Sequence, residues 1–327
     1  MGDLSVEIER FPIAGRFTIA RGSRTEAVVV TATIRDGAAT GRGECVPYAR
    51  YGETPEGVAE AIGAMKEAIG RGLSRQELQA TMPGGAARNA LDCALWDLDA
   101  KRAGIPAHVT AGIDRLPPVT TAYTISLGDV AEMEEAARNA KARPILKIKL
   151  GAPEGDGDRI AAVRRAAPDA VLIADANEGW HAGNIEENLA ACARVGVQLI
   201  EQPVKAAEDG ILADIDRPVP ICADESLHQR QDLAHLRGRY DAINIKLDKA
   251  GGLTEALALA EEAQTLGFTI MIGCMLGTSL AMAPAMLLTP RASFVDLDGP
   301  LLLARDREPG LVFEGSLVRP PSPALWG

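Results

Sequence analysis

Three acidic residues follow successive short apolar runs in the second half of the sequence: Asp175, Glu201 and Asp224. If these runs are adjacent parallel strands about 4.8 Å apart, their carboxylates are expected to converge on one point. Three oxygen ligands with no His or Cys suit Mg²⁺. Each acid could instead cap the helix that follows its strand, but that alternative explains one acid better than three in register. The pattern therefore predicts a magnesium site.

Lysines end two other apolar runs of the same region. Lys147 and Lys149 share one face of their strand, as do Asn244 and Lys246. If these runs are the second and sixth strands of an eight-stranded barrel, a substrate carboxylate on the metal has its α-carbon between Lys149 and Lys246. This predicts a 1,1-proton transfer, that is, an epimerisation or racemisation with one lysine on each face. We expect burial and nearby cations to lower the pKa of the lysine base. Lys246 alone could equally be a solvated strand-end lysine.

The elements that position these residues alternate along the chain from about residue 119. Eight apolar runs separated by helical patterns predict an α/β fold, a (β/α)8 barrel of TIM type, whose active site lies at the carboxyl ends of the strands. Asp129 has the spacing of a capping box, and Thr254 is predicted to open a helix that ends at Gly267. The runs are Val119–Ile125, Ile145–Leu150, Val171–Asp175, Val197–Glu201, Val219–Asp224, Ala242–Leu247, Phe268–Gly273 and Phe294–Asp298.

Residues 1–115 have a different pattern and are predicted to form an α+β capping domain. The β-branched run Val28–Ile34 is expected to pair antiparallel with Leu4–Phe11, and Gly57–Ile69 and Arg88–Ala103 have helical patterns. The Pro-Pro pair at 117–118 marks the boundary, so the barrel is predicted to occupy residues 116–299. The Pro-rich segment 300–327 is expected to fold back and complete the capping domain.

Composition and charge exclude several classes of function. The 327 residues carry a formal net charge of −11, so neither nucleic-acid nor membrane-surface binding is expected. The five cysteines are scattered, and the first residues lack the basic start and apolar run of a signal peptide, which predicts a reduced, cytoplasmic setting. Thr269–Pro290 carries no charged side chain, but its glycines and proline favour a buried strand and helix over a membrane span. The oligomeric state stays open, with a homo-oligomer among the alternatives.

Longer motifs extend over nearly the whole chain. They are Lys147-Ile-Lys149, Asp175-Ala-Asn177-Glu-Gly-Trp180, Glu201-Gln-Pro203, Ala223-Asp224-Glu225-Ser226, Asn244-Ile-Lys246, Gly251-Gly252, Arg21-Gly-Ser-Arg24, Gly43-Glu-Cys-Val-Pro47-Tyr48 and Asp296-Leu-Asp298. Together they resemble motifs of the enolase superfamily, in its muconate-lactonizing-enzyme subgroup, and within it those of the dipeptide epimerases that act on L-Ala-D/L-Glu. Sites of this superfamily use a Lys or His base with Mg²⁺ and an ene-diolate.

The resemblance implies a role for each matching residue. Lys147 matches a lysine that helps to hold the substrate carboxylate, the Asp296-x-Asp298 pair matches the site for the free ammonium of a dipeptide, and Arg24 matches the residue that meets a glutamate side chain. The implied sets are metal ligands Asp175, Glu201 and Asp224 for one Mg²⁺ per subunit, catalytic Lys149 and Lys246, and substrate-binding Arg24, Thr124, Lys147, Cys274, Leu276, Asp296 and Asp298. The implied reaction is epimerisation of the C-terminal residue of a small dipeptide, in murein peptide metabolism.

Other functions remain open at this point. A cycloisomerase, an o-succinylbenzoate synthase or an N-acylamino acid racemase belongs to the same subgroup. The first two use the same metal and lysines but no anionic pair for an ammonium, so Asp296 and Asp298 argue against them. A non-catalytic binding barrel is disfavoured by the complete set of lysines and acids. Arg24 could be a solvated loop arginine, and Asp296-x-Asp298 a plain strand-end turn.

Overall fold

The N-terminal part of the chain is built on a three-stranded antiparallel sheet in the computed structural model, which describes residues 2–327. Its strands are β1 (Asp3–Ile19), β2 (Gly22–Asp36) and β3 (Ala39–Cys45). The predicted pairing is confirmed, with Leu4 opposite Ile34 and Phe11 opposite Ala27. The sequence patterns did not predict β3, which contains two glycines, Gly41 and Gly43. A Cβ at either position would lie 2.1 Å from a carbonyl oxygen of the helix behind it, so only glycine allows this close approach.

Five helices follow this sheet, and the longest of them packs on it. The predicted helix Gly57–Ile69 is two helices, separated just after Gly63, where helix propensity is low. The predicted helix Arg88–Ala103 is confirmed and starts two residues earlier. The five are α1 (Pro55–Gly63), α2 (Lys66–Gly70), α3 (Arg75–Thr81), α4 (Ala86–Ala103) and α5 (Ala107–Thr110), and a 3₁₀ turn at Ala49–Tyr51 precedes them.

Eight parallel strands in sequential order form a curled sheet, which confirms the predicted α/β barrel class. The short strand β4 (Val119–Thr120) precedes them and lies in another sheet. The eight strands are β5 (Tyr123–Ile125), β6 (Ile145–Lys149), β7 (Val171–Asp175), β8 (Val197–Glu201), β9 (Ile221–Ala223), β10 (Ala242–Ile245), β11 (Thr269–Ile272) and β12 (Phe294–Val295). The first and last of these strands meet where the backbone N–H of Ala122 donates to Val295 O at 2.8 Å.

The first predicted barrel strand, Val119–Ile125, is therefore only partly right. Its first two residues pair instead with β14 (Leu317–Val318), which follows β13 (Phe313–Glu314) in a three-stranded antiparallel sheet. Only Tyr123–Ile125 pairs with β6. The segment was read as one run because it is continuously apolar or β-branched, while the partner that divides it lies almost 200 residues away in sequence.

Helices connect most of the barrel strands and cover the outside of the sheet. Asp129 caps the first of them as predicted, accepting a hydrogen bond from Glu132 N at 2.8 Å. The helices are α6 (Val130–Asn139), α7 (Asp156–Ala166), α8 (Ile185–Arg194), α9 (Leu233–Leu236), α10 (Leu247–Ala250), α11 (Leu253–Thr265), α12 (Ser279–Ala285) and α13 (Gly299–Leu302), with 3₁₀ segments at Ala206–Ala213, Arg230–Asp232 and Met286–Arg291. Within residues 2–327, no helix has the length and apolar character needed to cross a membrane. The uncharged stretch Thr269–Pro290 is instead β11 followed by α12 and a 3₁₀ segment, as predicted.

Thr254 was predicted to open α11, and the observed start of that helix lies within one residue of it. The helix begins one residue earlier, after Gly252, and Thr254 bonds to Asp92 of α4, through its backbone N at 2.9 Å and its hydroxyl at 2.6 Å. Arg88, one turn before Asp92, donates to the carbonyl oxygens of Ala250 and Gly251. Helix α4 is therefore fixed to the barrel by polar contacts close to the end of β10.

The end of the chain contacts the N-terminal part. The indole N–H of Trp326 donates to Cys93 O at 3.0 Å, and Arg42 donates to Leu325 O at 2.9 Å. Trp326 is fully buried. These contacts tie the last residues to α4 and β3.

Candidate active site

The three predicted acids stand at neighbouring strand ends of the barrel. Asp175 and Glu201 are the last residues of β7 and β8 and lie directly opposite each other in the strand register. Asp224 follows β9 directly. All three are buried, with at most 2% of their surface exposed. A hydrophobic layer of Ile173, Leu199, Cys222, Ala242 and Met271 fills the barrel interior.

Each of these acids faces a lysine ammonium. Lys149 Nζ donates to Asp175 Oδ2 at 2.6 Å, and Lys246 Nζ donates to Asp224 Oδ2 at 2.7 Å. Lys147 Nζ lies 2.7 Å from Glu201 Oε2. The structure therefore brings the predicted lysines and acids together in one buried cluster of alternating charge.

The acids suit a divalent cation in donor type and position. Within residues 2–327, no three His, Cys, Asp or Glu side chains are already gathered around a point where an ion would sit, because the lysines lie between the acids. All the candidate donors are carboxylate oxygens, as hard cations prefer. Although Glu201 Oε2 is close to Lys147, it is buried and receives no hydrogen bond of normal geometry. An oxygen in this state is suited to bind a cation, so the residues fit Mg²⁺.

The charges of the cluster shift the pKa values of its members. Burial alone would raise the pKa of Asp224, but Lys246 and Lys249 hold it well below its usual value. Burial alone would lower the pKa of Lys246, but Asp224 and Glu201 raise it well above its usual value. The expected depression of the lysine pKa is therefore not found in this arrangement, in which Lys246 is the counter-ion of the acids.

The predicted ammonium site lies at the end of β12, next to β5. Asp298 Oδ2 accepts a hydrogen bond from Thr124 N at 2.7 Å, and Asp296 Oδ2 accepts one from Lys147 at 2.7 Å. Asp296 Oδ1 is buried and has no hydrogen-bond partner. Burial and the neighbouring Asp296 raise the pKa of Asp298 to about 7. Among the described residues, 2–327, the ammonium of Lys147 alone pairs with these two buried carboxyl groups, so they can accept a second.

A cavity of about 450 Å³ opens between the strand ends and the N-terminal part. Of the predicted site residues, Lys149, Asp224, Lys246, Cys274, Leu276 and Arg24 line it. Cys274 and Leu276 follow β11, and burial raises the pKa of the Cys274 thiol well above its usual value, so this group is neutral. The two lysines face this cavity from strands β6 and β10, which are four positions apart in the sheet.

Four charged residues that the sequence analysis did not single out hold the roof of the cavity. Arg21, in the turn between β1 and β2, donates to Glu225 Oε1 at 2.6 Å and to Asn177 O at 2.7 Å. Arg50 forms two hydrogen bonds of 2.8 Å with Glu178. Glu178 and Glu225 belong to the loops after β7 and β9. In the sequence, both glutamates stand in motifs that also contain a predicted metal ligand, and this position could have drawn attention to them.

Lys249 and Gln202 are two further residues without a predicted role. Lys249 is buried, and its ammonium donates to Asp224 Oδ1 and Asp224 O at 2.5 Å and to Asn244 O at 3.3 Å. Gln202 follows Glu201 with a left-handed backbone, φ 33°, and accepts a hydrogen bond from Asp224 N at 2.8 Å. Such a φ is costly for a residue with a side chain and occurs where the surroundings enforce it. Both residues fix Asp224 in place.

Two family models match the sequence. One, described as enolase C-terminal domain-like, matches residues 129–322, and the other, described as the mandelate racemase/muconate lactonizing enzyme N-terminal domain, matches residues 3–110. The chain belongs to the enolase superfamily. The matched regions include the strand-end acids and lysines of the cluster, and Arg24.

Two curated relatives of this superfamily member differ in the substrate they are named for. The L-Ala-D/L-Glu epimerase of Escherichia coli (strain K12) is 47% identical over 315 residues, which are 96% of this chain and 98% of the relative. The N-acetyl-D-glutamate racemase of a Pseudoalteromonas species is 43% identical over 301 residues, which are 91% of this chain and 95% of the relative.

A solved structure is also very similar to this superfamily member. It is an enolase family member from Agrobacterium tumefaciens with homology to dipeptide epimerases, crystallised with bound sodium and L-Ala-L-Glu. It is 59% identical, covers the whole of both chains and superposes with a TM-score of 0.99.

Proposed function

We propose that this enolase superfamily member is a dipeptide epimerase that inverts the α-carbon of the C-terminal residue of L-Ala-D/L-Glu and similar dipeptides. One observation carries the proposal: Lys149 and Lys246 face the same cavity from strands four positions apart in an eight-stranded sheet. Two amines on opposite sides of one carbon are what a 1,1-proton transfer needs, because one removes the proton and the other delivers a proton to the opposite face.

The proposed metal ligands are Asp175, Glu201 and Asp224. When bound, Mg²⁺ supplies a Lewis acid that stabilises the negative charge developing on the substrate carboxylate as the α-proton leaves. Asp224 and Glu201 raise the pKa of Lys246, so an ion that engages these two carboxylates would favour the neutral amine that a base must be. Lys147 also contacts Glu201, and Lys249 also contacts Asp224.

The two ends of the dipeptide meet different charges. We assign its free ammonium to Asp296 and Asp298. In the part of the chain that the structure describes, Asp296 Oδ1 has no hydrogen-bond partner and one lysine, Lys147, balances the two acids. We assign the glutamate side chain to Arg24, which lines the cavity and forms no ion pair within residues 2–327. An unpaired guanidinium can bind a carboxylate through two parallel hydrogen bonds.

The proposed organisation follows the division expected from the sequence. A capping domain of residues 1–115, completed by 300–327, supplies Arg24, and a barrel of residues 116–299 supplies the lysines and acids. The proposed setting is the recycling of murein peptides in the cytoplasm, with one Mg²⁺ in each subunit.

Isotope exchange tests the reaction directly. The protein is incubated with Mg²⁺ and L-Ala-L-Glu in D₂O, and deuterium at each α-carbon is measured by mass spectrometry and NMR. The proposal expects one deuterium at the glutamate α-carbon, none at the alanine α-carbon, and the appearance of L-Ala-D-Glu. Absence of exchange with any dipeptide of a library that includes L-Ala-L-Glu would refute it.

The second candidate is racemisation of N-acetylglutamate, the activity for which the Pseudoalteromonas relative is named. The Asp296–Asp298 pair argues against it, since an N-acetyl group offers no positive charge to two buried acids. Competition between L-Ala-L-Glu and N-acetyl-D-glutamate in the same exchange assay separates the two. The dipeptide is expected to exchange faster, and preferential exchange of N-acetyl-D-glutamate would replace the epimerase proposal with the racemase.

A further inference from the structure

Tyr48 lies in the loop after β3 and presents its ring to Arg24. The guanidinium carbon of Arg24 is 5.4 Å from the ring centroid, within the range of a cation–π contact. Both residues line the cavity. Within residues 2–327 no acid pairs with Arg24, and the contact with this ring orients its guanidinium over the cavity.

The ring of Tyr48 is itself fixed. Its hydroxyl accepts a hydrogen bond from Arg21 Nη2 at 3.1 Å, its backbone N–H donates to Glu53 Oε2 at 3.0 Å, and the ring of Tyr51 lies against it with centroids 5.4 Å apart. Arg21 in turn donates to Glu225 of the barrel. A continuous set of contacts therefore connects the barrel to the face of the ring on which Arg24 rests.

Arg21 and Arg50, the other arginines of the cavity, differ from Arg24 in how their N–H groups are used. Arg21 and Arg50 are each paired with a barrel glutamate, and those pairs occupy their N–H groups. An aromatic face attracts a guanidinium without accepting its in-plane N–H donors, so Arg24 stays free to bind a carboxylate. Arg24 is held in place and also remains available.

We propose that Tyr48 is a positioning residue for Arg24 and thereby determines the preference for a dipeptide that ends in an acidic residue. This inference rests on the proposed function, because it assigns the glutamate side chain to Arg24. Holding a long side chain in its binding position before the substrate arrives lowers the entropy lost on binding.

The test compares L-Ala-L-Glu with its neutral isostere L-Ala-L-Gln. Their preference ratio is measured in two ways, from kcat/KM and from dissociation constants determined by calorimetry. The proteins are wild type, Tyr48→Phe, Tyr48→Leu, Arg24→Ala, and the double variant of Arg24→Ala with Tyr48→Leu. Circular dichroism establishes that each is folded, and Tyr48→Met replaces Tyr48→Leu if the latter does not fold.

We expect Tyr48→Leu to lower the Glu:Gln ratio about 3- to 30-fold, the range of cation–π contacts from exposed to buried. Tyr48→Phe keeps the ring and should retain the wild-type ratio within about twofold. In the Arg24→Ala background, Tyr48→Leu should not change the ratio further, because the group it positions is gone.

Two results overturn the inference. One is an equal loss of kcat/KM and of affinity for both dipeptides in Tyr48→Leu, as expected of a residue that only supports the loop. The other is a drop in the Glu:Gln ratio that Tyr48→Leu also causes in the Arg24→Ala background. If the wild type exchanges no α-proton, the epimerase proposal fails. The role of Tyr48 is then tested by the Glu:Gln ratio of the dissociation constants alone. A wild-type binding ratio near one then overturns the role of Tyr48 as well.

Discussion

Asp298 offers the sharpest test of how the substrate is recognised. Its carboxyl group is almost fully buried, its Oδ2 is bonded to Thr124 N, and no ion pair to it is found within residues 2–327. The substrate ammonium is therefore the proposed counter-ion. In Asp298→Asn, the amide oxygen can still accept the Thr124 bond, so the fold is retained while the charge is lost.

The size of the loss follows from the burial of the pair. Removing one partner of a buried ion pair commonly costs about 3–5 kcal/mol. Asp296 remains beside the ammonium, so the lower end of this range applies, which corresponds to about two orders of magnitude in kcat/KM at 1.36 kcal/mol per tenfold change. N-acetyl-L-Ala-L-Glu, which lacks the ammonium, should lose at least about as much with the wild-type protein.

The pH dependence gives an independent check. Burial and Asp296 raise the pKa of Asp298 to about 7, so in the free protein this carboxyl group is largely protonated below that pH. Only the ionised form pairs with an ammonium. Therefore kcat/KM for L-Ala-L-Glu should rise as the pH increases through about 7, and Asp298→Asn should remove this rise.

Steady-state kinetics on L-Ala-L-Glu and its N-acetyl derivative, with wild type and Asp298→Asn between pH 5.5 and about 8, provide all of these values. The reasoning is refuted if the acetylated and free dipeptides are turned over equally by the wild type. It is also refuted if Asp298→Asn slows both substrates by the same factor, because the carboxylate would then serve the loop and not the ammonium.

Three further predictions concern the metal, the lysines and stability. Chelation by EDTA should abolish α-proton exchange, and Mg²⁺ should restore it. Asp224→Asn should exchange the proton at least about a hundredfold more slowly while circular dichroism shows that it is folded. Full exchange after exhaustive chelation contradicts the ligand assignment. Lys149→Ala and Lys246→Ala should each stop epimerisation, while the remaining lysine exchanges the α-proton of one epimer only. The deuterium content of L-Ala-L-Glu and L-Ala-D-Glu measures this exchange. An epimerisation rate equal to wild type in either variant rules out the two-lysine scheme. Burial raises the pKa of Asp248 from 3.8 to about 7, so the folded state loses stability as the pH rises from about 4 through 7. In urea unfolding, Asp248→Asn should therefore gain about 2 kcal/mol relative to wild type between pH 5 and 8, and a gain independent of pH would contradict this assignment.

The strand ends were largely predictable from the sequence, because local patterns define them. In β7 and β8, an apolar run is closed by an acid, and the predicted and observed bounds are identical. Asp129 shows the same for a helix start, since both partners of its capping box lie within four residues. Local periodicity and local hydrogen bonding are sufficient in these cases.

The parts that were missed depend on residues distant in sequence. The hydroxyl of Thr254 donates to Asp92, a partner that lies 162 residues earlier in the sequence. Lys147 was expected to help to hold the substrate carboxylate and to lower the pKa of its lysine neighbour, and its bridge between Glu201 and Asp296 was not predicted. Such pairings depend on how the sheet curls, and local sequence patterns do not predict which distant residues the curl brings together.

The paired contacts of the cavity roof have a consequence for redesign. The groups proposed to perform the proton transfer all project from barrel strand ends, whereas Arg24 and Tyr48 come from segments that precede the barrel. Arg21 and Arg50 join these segments to Glu225 and Glu178 of the barrel. A chimera that exchanges the β1–β2 turn and the loop after β3 with those of a relative should therefore acquire a new side-chain preference without any change in the barrel, provided that both arginines are carried along in the graft.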